Sequence, residues 1–324
     1  MRVIARTVCA ALLLALSGMS VAADSYPTRP IRMVVPFAPG GTASILARAI
    51  ASEAEKELGQ SFVVDNRDGA NGIIGTHIVA NAAPDGYTML QTTTSIAINP
   101  GVYKKLPYDT LRDLTPVTIV ALGSGYVLLA NQKLGLHAVK DLIALAKNKD
   151  RQVSYGSAGI GNSTHLVAEM FSKMAGIQLI HVPYKGVAPA LNAVIGGEVN
   201  IMFIPPTAAV GHIKAGRVTA LAFTGKSRWA VLPDVPTVAE SGGPEFVKDA
   251  GFNAWLVPAA TPTRVIERLY HAAARAVYEP RVKALMEAGG YEPFANKPDE
   301  AKEFLRSEIE IYSKIAREVG VKQQ

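Results

Sequence analysis

The chain has 324 residues, 49% hydrophobic and 19% charged, with a formal charge of +6 and one cysteine, Cys9. That length and apolar fraction supply a core of ordinary globular size for two domains and exclude a disordered or fibrous chain. A single cysteine excludes disulfides and clustered thiolate sites, and no run of Lys and Arg interleaved with aromatics points to nucleic acid.

Arg2 and Arg6, the apolar run 8–16 and the small residues Val21-Ala22-Ala23 predict a signal peptide over 1–23, with the mature chain starting at Asp24. Cleavage removes Cys9 and also Arg2 and Arg6 without any acidic residue, so +6 becomes +4. Anionic ligands are mildly favoured by that charge, which serves solubility equally well. No later apolar run reaches the roughly 20 residues of a membrane span.

Residues 31–50, IRMVVPFAPGGTASILARAI, organise the remainder. Met33, Val34 and Val35 suit a central parallel strand, Pro36 and Pro39 stop further pairing, and Gly40-Gly41 turns the chain into a helix beginning at Thr42 or Ser44. Free amides at that helix start favour a carboxylate or phosphate without help from Lys or Arg. A short strand is expected at 61–64, a polar turn at 65–72, a helix at 73–82 and a strand at 87–91. Thr92-Thr93-Thr94-Ser95 then sets four hydroxyls at a strand's carboxyl end, where open α/β sheets bind ligands, and Thr92 and Ser95 are candidate contacts. Asn99-Pro100 and Leu106-Pro107-Tyr108-Asp109 read as turns, followed by one helical turn at 111–114.

Two apolar runs, 117–122 and 126–130, flank Gly123-Ser124-Gly125 and suit a crossing between domains. After a helix at 139–147, residues 153–176 repeat the opening module: a strand, the small-residue loop SYGSAGIGNST, and a helix whose buried face carries Leu166, Met170, Phe171 and Met174. Strands at 177–182, 199–204 and 217–223 alternate with helices at 188–195 and 207–215, and alternation of this kind predicts parallel sheets. Residues 252–257 form the return crossing, and helices follow at 263–278, 281–288 and 298–319.

The two loops are predicted to face each other across a cleft and hold one organic anion. Candidate ligands are the amides of Gly40, Gly41 and Gly159 and the hydroxyls of Thr42, Ser157, Ser163 and Thr164. Phe37 and Tyr184 are candidate walls, and His165, at a helix start, could donate to an anion or be a capping residue. Tyr155-Gly156-Ser157-Ala158-Gly159 lacks the leading glycine of a nucleophile elbow. Gly225-Lys226-Ser227 lacks the first glycine of a phosphate loop. The six histidines are scattered without ligand spacing, so neither a metal nor a cofactor is expected.

Six short motifs carry a family likeness: Tyr26-Pro27-Thr28-Arg29-Pro30-Ile31, Val35-Pro36-Phe37-Ala38-Pro39-Gly40-Gly41, Pro84-Asp85-Gly86-Tyr87-Thr88, Tyr155-Gly156-Ser157-Ala158-Gly159, His181-Val182-Pro183-Tyr184-Lys185-Gly186 and Leu232-Pro233-Asp234-Val235-Pro236-Thr237. Each is weak alone, but their order and spacing are specific. Over essentially all its mature length the chain resembles the Bug-type solute receptors of tripartite tricarboxylate transporters. The resemblance implies the type II periplasmic binding-protein fold, an α/β fold of two lobes with a hinge crossed twice. Domain 1 would comprise 24–122 plus 251–324, and domain 2 would comprise 123–250.

It further implies a non-enzymatic periplasmic receptor, monomeric, that closes on a small carboxylate and delivers it to an inner-membrane tripartite tricarboxylate-type permease. The loops 37–42 and 157–164, the latter including Asn162, would hold the two ends of the ligand. Where members commonly carry Asp, this chain has Ser44 and Ile204, which implies a carboxylate lacking an amino group. A ligand-binding subunit for a sensor kinase and a periplasmic serine hydrolase remain open as alternatives.

Overall fold

The computed structural model describes residues 26–148 and 150–318, so the leader expected over 1–23 lies outside the described residues. In chain order the first part runs β1 (Ile31–Val35), α1 (Thr42–Leu58), β2 (Phe62–Asn66), a 3-10 turn (Ala70–Gly72), α2 (Ile73–Ala80), β3 (Thr88–Thr93), α3 (Ser95–Val102), α4 (Thr110–Asp113) and β4 (Leu114–Gly123). There follow β5 (Val127–Ala130), α5 (Val139–Lys147), β6 (Ser154–Ser157), α6 (Ser163–Ala175), β7 (Ile180–Pro183), α7 (Val187–Gly196), β8 (Ile201–Ile204), α8 (Pro206–Lys214) and β9 (Thr219–Phe223). The chain ends with β10 (Phe252–Pro258), α9 (Thr263–Tyr278), α10 (Pro280–Ala288), β11 (Tyr291–Pro293) and α11 (Pro298–Glu318).

Two sheets result, one of six strands in the order β11-β4-β10-β3-β1-β2 and one of five in the order β7-β6-β8-β5-β9. Both are mixed, which corrects the expectation of parallel sheets. β1 runs parallel to β2 and β3, but β10 is antiparallel to β3 and β4. Likewise β6 is parallel to β7 and β8, whereas β5 is antiparallel to β8 and β9. The cause is the double crossing. β4 carries the chain out of the first sheet and β10 brings it back, so the two point in opposite senses and pair antiparallel, with no crossover helix to restore direction.

Apolar clusters cover both faces of both sheets, as central strands such as β1 and β8 require. In α9, Val265, Ile266, Leu269, Ala272, Ala273, Ala276 and Val277 are buried at helical spacing, and this face packs against α1. Trp229 and Trp255 are both packing residues, the latter with no exposure. The turn expected at Asn99-Pro100 lies inside α3 instead. Pro100 cannot bond the Ile96 carbonyl four residues back, and the Thr110 hydroxyl donates to that oxygen at 3.5 Å.

Three segments meet where the chain passes between sheets. The Gly123 amide donates to Gly251 O at 2.7 Å, Ala250 N to Gly123 O at 3.3 Å, and Ser124 N to Gly290 O at 2.9 Å. Gly251 has φ +69, and a Cβ there would overlap the Thr94 hydroxyl, so the return crossing demands glycine on two counts.

Candidate ligand-binding site

A cavity with about 440 Å³ of empty space opens between the two sheets. Its walls come from the carboxyl ends of five strands and the starts of the helices that follow them. Thr42 and Ala43 open α1, Thr93 and Thr94 precede α3, Asn162, Ser163 and Thr164 open α6, Val187 opens α7, and Pro205 caps α8. Phe37, Gly41, Ala158, Ala250, Phe252 and Tyr291 complete the lining. No Asp, Glu, Lys, Arg or His is among these residues.

Five positive helix ends therefore converge on one space with no charged side chain to neutralise them. A helix terminus carries roughly half an elementary charge on unpaired amides, and removal from water strengthens its action on an anion, although α8 begins at Pro206, which has no N–H to offer. At α1 the amides of Ser44 and Ile45 turn back to Gly41 O, at 3.0 Å each. The amides of Thr42 and Ala43 precede those bonds. The Thr42 hydroxyl is buried and has no protein partner. At α6 the Asn162 side chain accepts from Thr164 N at 3.0 Å, and Asn162 O accepts from His165 N and Leu166 N, so the Ser163 amide is the first outside the helical ladder. Burial holds the Tyr291 phenol far above its ordinary range, leaving it a neutral hydroxyl.

Of the residues proposed from sequence, Phe37, Gly41, Thr42, Asn162, Ser163 and Thr164 line this cavity. Thr164, however, uses its hydroxyl within the loop: it accepts from Ala158 N at 2.9 Å and donates to Asn162 Oδ1 at 3.0 Å. Gly159 and Tyr184 line a neighbouring, more open cavity, with about 680 Å³ of empty space, which shares Phe37 and Ala158 with the first.

Gly40, Ser44, Thr92, Ser95, Ser157, His165 and Ile204 line neither. Gly40 forms the turn at φ +81 against Ala188. Ser44 faces Asn66 Oδ1 at 3.5 Å, Ser95 accepts from the Thr93 hydroxyl at 3.3 Å, and Thr92 has a buried, unpartnered hydroxyl. Ile204 is wholly buried in β8. Thr93, from the hydroxyl run at the end of β3, lines the cavity in place of Thr92 and Ser95; Val187, Phe252 and Tyr291 line it without having been singled out, although the helix start at Val187 and the strand start at Phe252 were available signals.

Ser157 and His165 belong to a stack behind the α6 loop. Ser157 Oγ lies 2.6 Å from His181 Nε2, and the rings of His165 and His181 stack at 4.0 Å between centroids. Gly161 N donates to His165 Nδ1 at 3.0 Å, and the Tyr155 hydroxyl donates to Glu169 Oε1 at 2.5 Å. Burial, with His181 adding to it, pushes His165 down to about 3, and burial pushes His181 down to about 4. Both rings are neutral near pH 7 and pin the loop; His165 accepts from the Gly161 amide and does not line the cavity.

Among the described residues no helix is long and apolar enough to cross a membrane, and no group of three or more His, Cys, Asp or Glu side chains is placed to hold a metal ion.

Residues 46–321 match the family described as Tripartite tricarboxylate transporter family receptor. Protein BugT of Bordetella pertussis is 37% identical over 304 residues, covering 93% of each chain. Two solved structures share the fold over nearly their whole length. Rpa4515 of R. palustris with adipate is 33% identical, with a TM-score of 0.87 over 92% of this chain and 100% of that one. MatC from Rhodopseudomonas palustris with bound malate is 27% identical, with a TM-score of 0.79 over 90% and 99%. The family so described is one of receptors. With its two mixed sheets around one cavity, the type II periplasmic binding-protein fold, this chain belongs to the tripartite tricarboxylate transporter receptor family.

Proposed function

We propose that the chain captures a small carboxylate in the periplasm and delivers it to a tripartite tricarboxylate-type permease of the inner membrane. Two lobes, 24–122 plus 251–324 and 123–250, would close over the ligand as a monomer, without chemistry. The observation that carries this reading is the convergence of five helix starts on a cavity that has no charged side chain. An anion there is stabilised by backbone dipoles alone, and a free cation is not. The adipate and malate held by the two structural relatives are of the expected class.

The amides of Thr42, Ala43 and Ser163 and the hydroxyls of Thr42, Ser163 and Tyr291 would hold the carboxylate, with Phe37, Val187 and Phe252 around its apolar part. The cavity offers no carboxylate to an ammonium group, and buried Ser44 and Ile204 provide none nearby. The ligand therefore lacks an amino group.

A thermal-shift screen over mono-, di- and tricarboxylates, aromatic acids and amino acids tests both statements, because a ligand of the folded state raises the melting point by mass action. A carboxylate without an amino group is expected to give the largest shift. Aspartate or glutamate ranking first would contradict the ligand class, and no shift from any carboxylate would contradict the function.

A further inference from the structure

The turn between β2 and α2 adopts a backbone that needs a reason. Gly69, Ala70, Asn71 and Gly72 have φ +131, +46, +50 and +85, four successive residues on the left-handed side, of which only two are glycine. Asn tolerates this region; Ala seldom enters it. The turn brings the Asn71 side chain, buried, against the second half of the molecule. Asn162 Nδ2 donates to Asn71 Oδ1 at 3.0 Å, and Asn71 Nδ2 donates to Asn99 Oδ1 at 2.8 Å. Asn99 Nδ2 in turn donates to Asn71 O at 3.2 Å and faces the Tyr108 hydroxyl at 3.4 Å.

The sense of every amide follows from one fixed end. Asn162 Oδ1 is occupied by the Thr164 amide, so its Nδ2 must face Asn71, which then presents Oδ1 to Asn162 and Nδ2 to Asn99. The chain of bonds starts in the first half, at Asn99 in α3, and ends on the residue that caps α6 in the second. Nearby, the Tyr103 hydroxyl donates to Ile160 O at 3.3 Å, also from one half to the other.

We infer that Asn71 is a positioning residue for ligand capture: it bonds the cap of α6 across the cleft, so the halves close with the α6 amides aimed at the cavity. This rests on the two-lobed receptor reading above. Asn71 does not line the cavity between the helix starts; it lines the neighbouring one, so its action on a carboxylate in the first goes through Asn162. It contributes to closure before any ligand is bound, because each of its bonds is made within the protein.

The test measures the distance between halves in ligand-free protein. Spin labels are placed at Val63→Cys and Ile180→Cys, exposed positions in β2 and β7, in a Cys9→Ser background, and distances are read by double electron–electron resonance. Asn71→Gly keeps the left-handed backbone and removes the side chain; Asn162→Ser keeps a capping oxygen and is too short to reach Asn71. Each variant is expected to lower the ratio of closed to open populations by roughly two- to tenfold, the effect of one hydrogen bond. The double variant is expected to fall no further than the more affected single one.

A wild type found only at the long distance, unchanged ratios in the single variants, independent addition of their effects, or a lower melting temperature without a change in distance would each overturn the inference. The measurement uses no ligand. A failed carboxylate screen and a failed latch are therefore separate results.

Discussion

Thr42 shows what single residues do here. Its hydroxyl is buried on the cavity wall with no partner inside the protein, a costly arrangement unless a ligand supplies one. Thr42→Val keeps the shape and removes that group. Calorimetry is expected to show carboxylate affinity weakened by about 1–3 kcal/mol, while the melting point of the free protein holds or rises; unchanged affinity would place the carboxylate elsewhere. His165 and His181 give a different signature. Unfolded, each would take up a proton near its ordinary 6.5; folded, they stay neutral until about 3 and about 4. Their contribution to stability is therefore whole above pH 6.5 and is lost as the pH falls from there toward the folded values. A urea titration should show a lower midpoint at about pH 4.5 than at pH 7, and a smaller drop in His165→Gln; an equal drop in that variant would assign the acid sensitivity to other groups. Residue types and spacing place Asn162 and Ser163 at a helix start, where the structure has them, because a helix start is a local pattern. They could not show that Ser157 turns to His181, nor that His165 turns to Gly161, since direction is set by neighbours distant in sequence.

At the scale of elements, the strand-loop-helix modules after β1 and β6 were legible, because apolar strands, small-residue loops and helix starts are written in short windows. The modules ending at α3, α7 and α8 join them at the same cavity, a convergence that only the sheet order reveals. Pro100 illustrates the opposite failure: local chemistry predicts a turn, and tertiary packing keeps the helix by giving the Ile96 carbonyl the Thr110 hydroxyl. The return crossing depends on glycine at 251. Gly251→Ala would carry a left-handed strain of roughly 1–2 kcal/mol and displace the Thr94 hydroxyl, which accepts from Phe252 N at 2.8 Å. Chemical denaturation is expected to show a loss above about 2 kcal/mol, more than for an alanine at Gly59, whose added Cβ meets nothing within 4 Å; equal losses at the two sites would remove the steric argument.

Across the whole molecule, the double crossing explains the mixed sheets, the three-stranded junction at Gly123, Gly251 and Gly290, and the placing of five helix starts around one space. The small-residue break at 123–125 foretold the crossing, but antiparallel pairing of β10 with β3 and β4 was not legible, since strand direction is a property of the path and not of composition. On the proposed function, backbone dipoles at α1 and α6 hold a carboxylate. A crystal structure with the strongest carboxylate from the thermal-shift screen would show where that carboxylate sits. Its carboxylate oxygens should lie within about 3.2 Å of the amides of Thr42, Ala43 or Ser163. A carboxylate seated outside this cavity, or neutralised there by a Lys or Arg side chain, would contradict it.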